Sequence, residues 1–333
     1  MESARTEAAS GRAAAGDWQG VPVLVTGGAG FIGSHLVDAL VNAGADVRVL
    51  DNFATGRREN LRADGFELVE GDLRRAEDCR AAVAGRQVVF HQAALGSVPR
   101  SMADPATSLE VNVAGTARLF AEARDAGVER IVYASSSSVY GDHPGLPKVE
   151  GVEGKPLSPY ALSKVMNEEL AETFGRCFEL RFIGLRYFNV YGPRQNPHGA
   201  YAAVIPRFFS ACYAGEAPVI YGDGEQSRDF TFIDDAVAAN LCAAGAPEEA
   251  WGRAYNVSGG REVTVNRLVE LVRDLAGGPE PEYQQPRPGD VRASLADLSA
   301  SRRLLGYDPQ VVLEEGLQRT RAYYRQLSPA SSP

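Results

Sequence analysis

Short apolar runs alternate with amphipathic stretches along most of the chain, and each run stops at glycine, a small residue or an acid. Val21-Pro22-Val23-Leu24-Val25-Thr26 halts at Gly27, and Ser34–Ala43 then carries apolar residues at helical spacing. Asp46–Leu50 ends on Asp51, and Phe66–Glu70 and Val88–His91 repeat the pattern, with a helix predicted over Arg74–Val83 between them. Further on, the periodicity predicts a helix over Ser108–Ala126, a strand over Arg130–Ala134, a helix over Tyr160–Phe174 and a strand over Glu179–Leu185. Strands alternating with helices predict an α/β protein, a doubly wound parallel sheet with its ligands at the strands' carboxyl ends.

From Arg186 the texture changes, as Tyr187–Arg194 is turn-rich and glycine, proline and aromatic residues thicken through Asp223. Arg228–Asp235, the alanine-rich helix after it and Ala254–Val257 return to the earlier pattern. The expected division is a Rossmann domain over residues 19–190 plus about 228–257, and a smaller, mixed C-terminal substrate lobe over 191–227 plus about 258–326. Residues 1–18, rich in Ala, Gly and Ser, read as a disordered tail, neither signal peptide nor anchor. No apolar stretch reaches membrane-spanning length, so a cytoplasmic location is expected.

Composition narrows the possibilities further. With 333 residues, 44% of them apolar, the chain can bury a large core, and its net charge of −9 argues against a nucleic-acid or membrane-surface role. Cys79, Cys177, Cys212 and Cys242 form no Cys-x-x-Cys pair, and His35, His91, His143 and His198 show no ligand spacing. Neither a disulfide framework nor a metal is expected.

The first chemistry-bearing feature is Gly27-Gly28-Ala29-Gly30-Phe31-Ile32-Gly33, set between a strand and a helix. Gly27 and Gly30 permit a tight turn and close approach to a pyrophosphate at the helix N-terminus, while Gly33 lets helix and strand pack closely. Asp51, at the end of the next strand, is placed to accept from both adenosine ribose hydroxyls. A carboxylate there repels a 2′-phosphate, which favours NAD over NADP. Asp72 is within reach of an adenine amino group, and the small residues Ala93 and Ala94 let the backbone lie against the cofactor. Asn112 falls inside the Ser108–Ala126 pattern, where a polar side chain is expected to face solvent.

The second feature is Ala134–Gly141, hydroxyl-rich at Ser135–Ser138, followed by Ser158-Pro159-Tyr160-Ala161-Leu162-Ser163-Lys164. A free tyrosine titrates near pH ~10, so a tyrosine base working near neutrality needs about three units, roughly 4 kcal/mol. Lys164 shares a helix face with Tyr160, and its ammonium favours the phenolate, as would a bound oxidised nicotinamide. Proton removal by Tyr160 coupled to hydride departure is the expected chemistry. Arg228 and Arg287, on loops of an acidic chain, point to an anionic ligand such as a diphosphate.

Together these residues resemble the extended short-chain dehydrogenase/reductase family, and within it the nucleotide-sugar 4-epimerases. The match runs from about Val21 to about Tyr324 and includes Ser137–Gly141, Tyr160/Lys164, Leu185–Asn189, Gly222–Gly224 and Arg287-x-Gly-Asp290. His91–Ser101, Gly141–Lys148 and Gly199–Pro206 are especially similar to bacterial UDP-N-acetylglucosamine 4-epimerases. The resemblance implies that NAD meets Gly27, Gly30, Phe31, Ile32, Gly33, Asp51, Asn52 and Gly56. Asp72, Leu73, Gln92, Ala93, Ala94, Asn112, Tyr187, Tyr160 and Lys164 complete its site. Ser97, Ser136, Ser137, Asn189, Gln195, Ala203, Val204 and Tyr221 are assigned to a UDP-sugar. Arg228 and Arg287 are assigned to its diphosphate, Asp290 to the uridine ribose and Ser294 to the sugar. Relatives confined to UDP-glucose and UDP-galactose tend to carry a bulky tyrosine where this chain has Ser294, and a small side chain leaves room for a 2-acetamido group.

The mechanism implied is a transient 4-keto sugar. Ser136, with Ser138 as second candidate, positions the 4-hydroxyl; Tyr160 takes its proton while carbon 4 gives hydride to NAD; Lys164 lowers the tyrosine pKa. The keto sugar rotates and recovers the hydride on its other face, while binding energy stays on the nucleotide. Related dehydratases and decarboxylases carry acids where this chain has Ser137 and Ser138. The competing reading is a UDP-glucuronate or UDP-N-acetylgalactosaminuronate 4-epimerase, with Arg100 or Arg194 on the carboxylate. A non-catalytic nucleotide-sensing module is a third reading, against which the retained Tyr160 and Lys164 argue. The helices over Ser108–Ala126 and Tyr160–Phe174 are the expected four-helix contact of a homodimer.

Overall fold

The computed structural model describes residues 17–197, 202–286 and 292–327. In chain order, β1 (Pro22–Thr26), α1 (Phe31–Asn42), β2 (Asp46–Asp51), β3 (Phe66–Glu70), α2 (Ala76–Val83) and β4 (Val88–His91) form the first half of the sheet domain. Then come α3 (Val98–Ala103), α4 (Pro105–Leu109), α5 (Thr116–Asp125), β5 (Arg130–Ser136), α6 (Pro159–Phe178) and β6 (Arg181–Tyr187). The short strand β7 (Val190–Tyr191) leads into the second lobe through α7 (Val204–Ala214), β8 (Val219–Tyr221) and β9 (Ser227–Asp229). After β10 (Thr231–Phe232), α8 (Ile233–Ala244) and β11 (Arg253–Val257) rejoin the sheet domain. The chain finishes with β12 (Glu262–Thr264), α9 (Val265–Ala276), β13 (Glu282–Gln284) and α10 (Leu313–Leu327).

The main sheet is seven-stranded, in the order β11-β6-β5-β4-β1-β2-β3, with every pairing parallel. Strand alternation explains why helices cover both faces. Val23 and Val25 of β1, Val88 and Phe90 of β4, and Ile183 and Leu185 of β6 join one core with Leu36, Val37 and Leu40 of α1. Leu24, Val89, Ile131 and Phe182 point the other way, into a core with Cys79 of α2 and Phe120 of α5. Phe120 anchors that second layer, its ring centroid 4.7 Å from Phe182 and 5.9 Å from Phe174. In the second lobe β8 pairs with β13 and β9 with β12, while Phe209 of α7 stacks on Tyr324 of α10.

Several elements differ from the sequence reading. Trp18, assigned to the tail, is 6% exposed and tilts against Phe90, so ordered packing already includes it. The helix expected over Ser108–Ala126 starts earlier, at α4, and is widened by a π-helical turn over Glu110–Gly115 before α5 resumes. That turn swings Asn112 inward to 1% exposure, so the solvent-facing expectation fails. Helix α6 begins at Pro159, where Ser158 caps it by accepting from the Ala161 amide, and runs past Phe174 to Phe178. The following strand therefore starts at Arg181, not Glu179, which closes α6 in the left-handed conformation at φ 58°.

Candidate active site

Because the sheet is parallel, its strands deliver their carboxyl ends to one edge. β1 leads into Gly27, β2 ends at Asp51, β4 leads into Gln92 and β5 ends at Ser136. The strand order reverses between β1 and β4, and the cleft opens there. It is a cavity of about 710 Å³, running from Asp51 and Asp72 past the Gly27–Gly33 turn to Ser136, Tyr160 and Lys164.

At one end the glycines are required by contact. A Cβ on Gly33 would lie 2.1 Å from the Gly27 carbonyl oxygen, and one on Gly27, at φ 68°, would lie 2.7 Å from the Ala93 backbone. Gly30 caps α1 without a side-chain hydrogen bond and no acid occupies its first turn, so the helix N-terminus faces the cleft unneutralised. Asp51 is 7% exposed and accepts from the amides of Ala29 at 2.9 Å and Phe53 at 2.8 Å. Burial raises its pKa and these two amides oppose the rise. Asn60 donates to the Ala29 carbonyl on the same wall. Asp72 is held by Arg74 and Asn52, with Arg74 keeping its carboxyl well below the usual range.

The other end holds the hydroxyls. Tyr160 and Lys164 project from one face of α6, the Lys164 ammonium 5.9 Å from the Tyr160 ring centre and donating to the Ala134 carbonyl at 2.8 Å. Tyr160 and Ser136 line the same stretch of the cleft. Burial raises the tyrosine pKa and the nearby Ser136 hydroxyl lowers it, while burial pushes Lys164 down to about 8 against the pull of Glu168.

A second cavity of about 290 Å³ adjoins the first, sharing Asn189, Val190, Gln195, Ala202 and Ala203. Arg207 and Arg228 bring positive charge to it, Arg207 lying 5.7 Å from the Tyr221 ring centre. Gln195 reaches both cavities and its Oε1 is buried without a partner.

Most expected residues converge here, with exceptions. Ser137 and Ser138 sit on the 3-10 turn Ser137–Tyr140, off both cavity walls, and Ser138 Oγ is buried without a partner, which leaves Ser135 and Ser136 as the cleft's β5 hydroxyls. Gly56 packs against Ala29 and the Asp51 carboxylate from behind. Asn112 also stands behind the wall, holding the Leu95 amide and carbonyl and meeting Ser163 Oγ. Ser294 is partly buried in the Arg292–Ala296 segment that β9 holds, off both walls. Arg287 and Asp290 lie outside the described residues. The four cysteines are free, and the described residues contain no cluster of three His, Cys, Asp or Glu able to hold a metal.

Residues 23–258 match the model of the NAD dependent epimerase/dehydratase family. The chain belongs to this family. A UDP-glucose 4-epimerase of Mycolicibacterium smegmatis is 42% identical over 312 residues, 92% of this chain and 99% of that protein. The fold also matches a UDP-N-acetylglucosamine 4-epimerase from Methanobrevibacter ruminantium solved with UDP-N-acetylmuramic acid, with TM-score 0.89, 38% identity, and 93% of this chain and 99% of that one covered. A UDP-glucuronic acid 4-epimerase variant from Bacillus cereus, solved with a fluorinated UDP-glucuronic acid and NAD, matches at TM-score 0.85 and 30% identity, covering 92% and 99%.

The family's NAD fits the residues present. The glycine turn has no room for side chains, the α1 terminus is free of acids, and Asp51 is pinned at the end of β2. Other supports went unread in the sequence. Asn240 of α8 donates to the Tyr187 hydroxyl at 2.7 Å and accepts from Gln92 at 2.9 Å, orienting two cleft residues, and nothing in its surroundings in the chain signals this. Glu168 was legible in principle, since it extends the Tyr160/Lys164 face by one further turn.

Proposed function

We propose that this chain catalyses NAD-dependent 4-epimerisation of a UDP-hexose, interconverting UDP-N-acetylglucosamine and UDP-N-acetylgalactosamine. The observation that carries the reading is that Ser136, Tyr160 and Lys164 line one cleft, with Lys164 on the same helix face as Tyr160, and that the cleft opens into a cationic second cavity. NAD, when bound, supplies a hydride acceptor that also returns the hydride. Ser136 then holds the sugar 4-hydroxyl and Tyr160 takes and restores its proton. Because burial works against the phenolate, Tyr160 stays protonated until positive charge is brought to the cleft beside Lys164. Arg207, Arg228 and Tyr221 grip the nucleotide away from the reacting carbon, which leaves the sugar free to turn.

The family name spans dehydratases as well. Eliminating water needs an acid beside the sugar, and positions 137 and 138 carry serines set back from the cleft. The N-acetyl reading rests on the small side chain of Ser294, at a position where relatives confined to UDP-glucose and UDP-galactose tend to carry tyrosine; Ser294 itself lies off both cavity walls. In the competing uronate reading a cation must meet the sugar carboxylate. Both candidates line the cleft: Arg100, and Arg194, whose Nη2 is paired with Asp38 of α1 at 2.5 Å while its Nη1 is buried without a partner. A second copy of the chain is the proposed partner, covering α6 where Leu162 and Met166 are 40% and 39% exposed.

Purified protein, with no cofactor added, is incubated separately with UDP-N-acetylglucosamine, UDP-glucose and UDP-glucuronate and the products are resolved. The expected result is the galacto product, formed fastest from the first. Faster turnover of either other sugar overturns the N-acetyl reading, and a dehydrated keto product overturns epimerisation.

A further inference from the structure

The α6 face that carries Tyr160 and Lys164 continues, a turn beyond Lys164, with the carboxylate of Glu168. Glu168 Oε1 accepts from Ser135 Oγ at 2.5 Å and from Arg186 Nε at 2.9 Å, while its Oε2 accepts from Arg186 Nη2 at 2.7 Å. This two-point fork fixes the carboxylate. The Arg186 side chain, only 7% exposed, is itself anchored to Glu153 of the loop after β5 at 2.5 Å and to the Tyr140 hydroxyl at 3.1 Å. Ser135, the residue Glu168 holds, stands between Ala134, whose carbonyl receives Lys164, and Ser136, which lines the cleft with Tyr160.

We propose that Glu168 is a positioning residue for Tyr160 and Lys164: clamped by Arg186, its carboxylate pins the end of β5 through Ser135 and supplies the counter-charge beneath the Lys164 ammonium. The inference rests on the reading of Tyr160 and Lys164 as the reacting pair.

The groups facing Lys164 leave Glu168 as the charge that matters. From β4, His91 is neutral, held down to about 3 by burial and by Lys164 itself. From β5, Tyr133 stays protonated because burial raises it. On β6, Arg186 is matched by Glu153 and Glu168 together, and its neighbour Tyr140 is likewise raised by burial. Glu172 lies a further turn along α6, beyond Glu168. Burial disfavours the Lys164 ammonium, and Glu168 is the carboxylate that opposes it.

Glu168→Gln keeps an acceptor for Ser135 and removes the charge. In the full-length protein with its dinucleotide, the alkaline limb of the kcat profile is expected to move down by about one pH unit, with KM for the UDP-sugar changed less than about twofold. Glu168→Asp, which restores the charge, is expected to bring the limb back toward wild type. Ser135→Ala removes only the pin and is expected to lower kcat about tenfold with the limb unmoved. An unmoved limb in Glu168→Gln overturns the counter-charge, and wild-type kcat in Ser135→Ala overturns the pin. Should Glu168→Gln fail to fold, Ser135→Ala decides the pin and the Glu168→Asp profile decides the charge, a limb shifted as far as a neutral residue would shift it counting against the proposal. Tyr160→Phe separates the two readings: activity retained there refutes the reacting pair, whereas activity lost there with an unmoved Glu168→Gln limb refutes this inference alone.

Discussion

His91 ties the floor of the cofactor cleft together in one protonation state only. It is 3% exposed at the end of β4, with Nδ1 2.7 Å from Thr26 Oγ1 and Nε2 2.9 Å from Thr116 Oγ1. Thr116 donates its own proton to the Asn112 carbonyl at 2.6 Å, so Nε2 must be the donor and Nδ1 must accept from Thr26. A second ring proton would make the Thr26 hydroxyl, which accepts from the Ala93 amide, accept from Nδ1 as well and leave its own proton without the acceptor it now has. Burial, reinforced by Lys164, accordingly holds the imidazole down to about 3. The folded pKa is depressed, so the contribution to stability is complete above the unfolded value near ~6.5 and is lost as pH falls from there toward about 3. Between pH 8 and pH 5 the loss amounts to about 2 kcal/mol. Denaturant unfolding of the wild type and His91→Gln at both pH values isolates the term, because carboxylates contribute alike to the two proteins. The wild type is expected to lose about 2 kcal/mol more than the variant on acidification. Equal losses would refute the neutral, doubly bonded histidine.

Gly33→Ala puts a methyl 2.1 Å from the Gly27 carbonyl oxygen, which backbone cannot yield cheaply, so the variant is expected to purify without dinucleotide; a full complement released on denaturation would count against the cradle. Leu162→Glu combined with Met166→Glu is expected to halve the mass seen by light scattering if α6 carries the contact between two copies, and an unchanged dimer mass would place that contact elsewhere.

The sheet was legible because most of its strands are apolar runs of sheet length, each stopped by glycine, a small residue or an acid. Gly27, Asp51 and Ser136 mark the ends of β1, β2 and β5, and the parallel pairing brings them to one edge. Helix-face spacing likewise placed Tyr160 over Lys164. What escaped depends on contacts distant in the chain. The π-turn that turns Asn112 inward changes the helical phase by a residue, which periodicity alone cannot register. Ser138 lies two residues beyond Ser136, but the chain turns between them and the hydroxyl faces away from the cleft. The Asp38 of α1 that pairs with Arg194 Nη2 could not be foreseen either. Asn240 and Arg207 acquire their places only when α8 and α7 pack beside the cleft.

The most direct test of the central claim is turnover by Tyr160→Phe carrying bound NAD. The phenyl ring fills the same space and lacks only the hydroxyl, in the cleft that Ser136 also lines. NAD content and UDP affinity are expected to match the wild type while epimerisation of the UDP-sugar falls by about a thousandfold. Turnover within about tenfold of the wild type would contradict the assignment of the proton transfer to Tyr160.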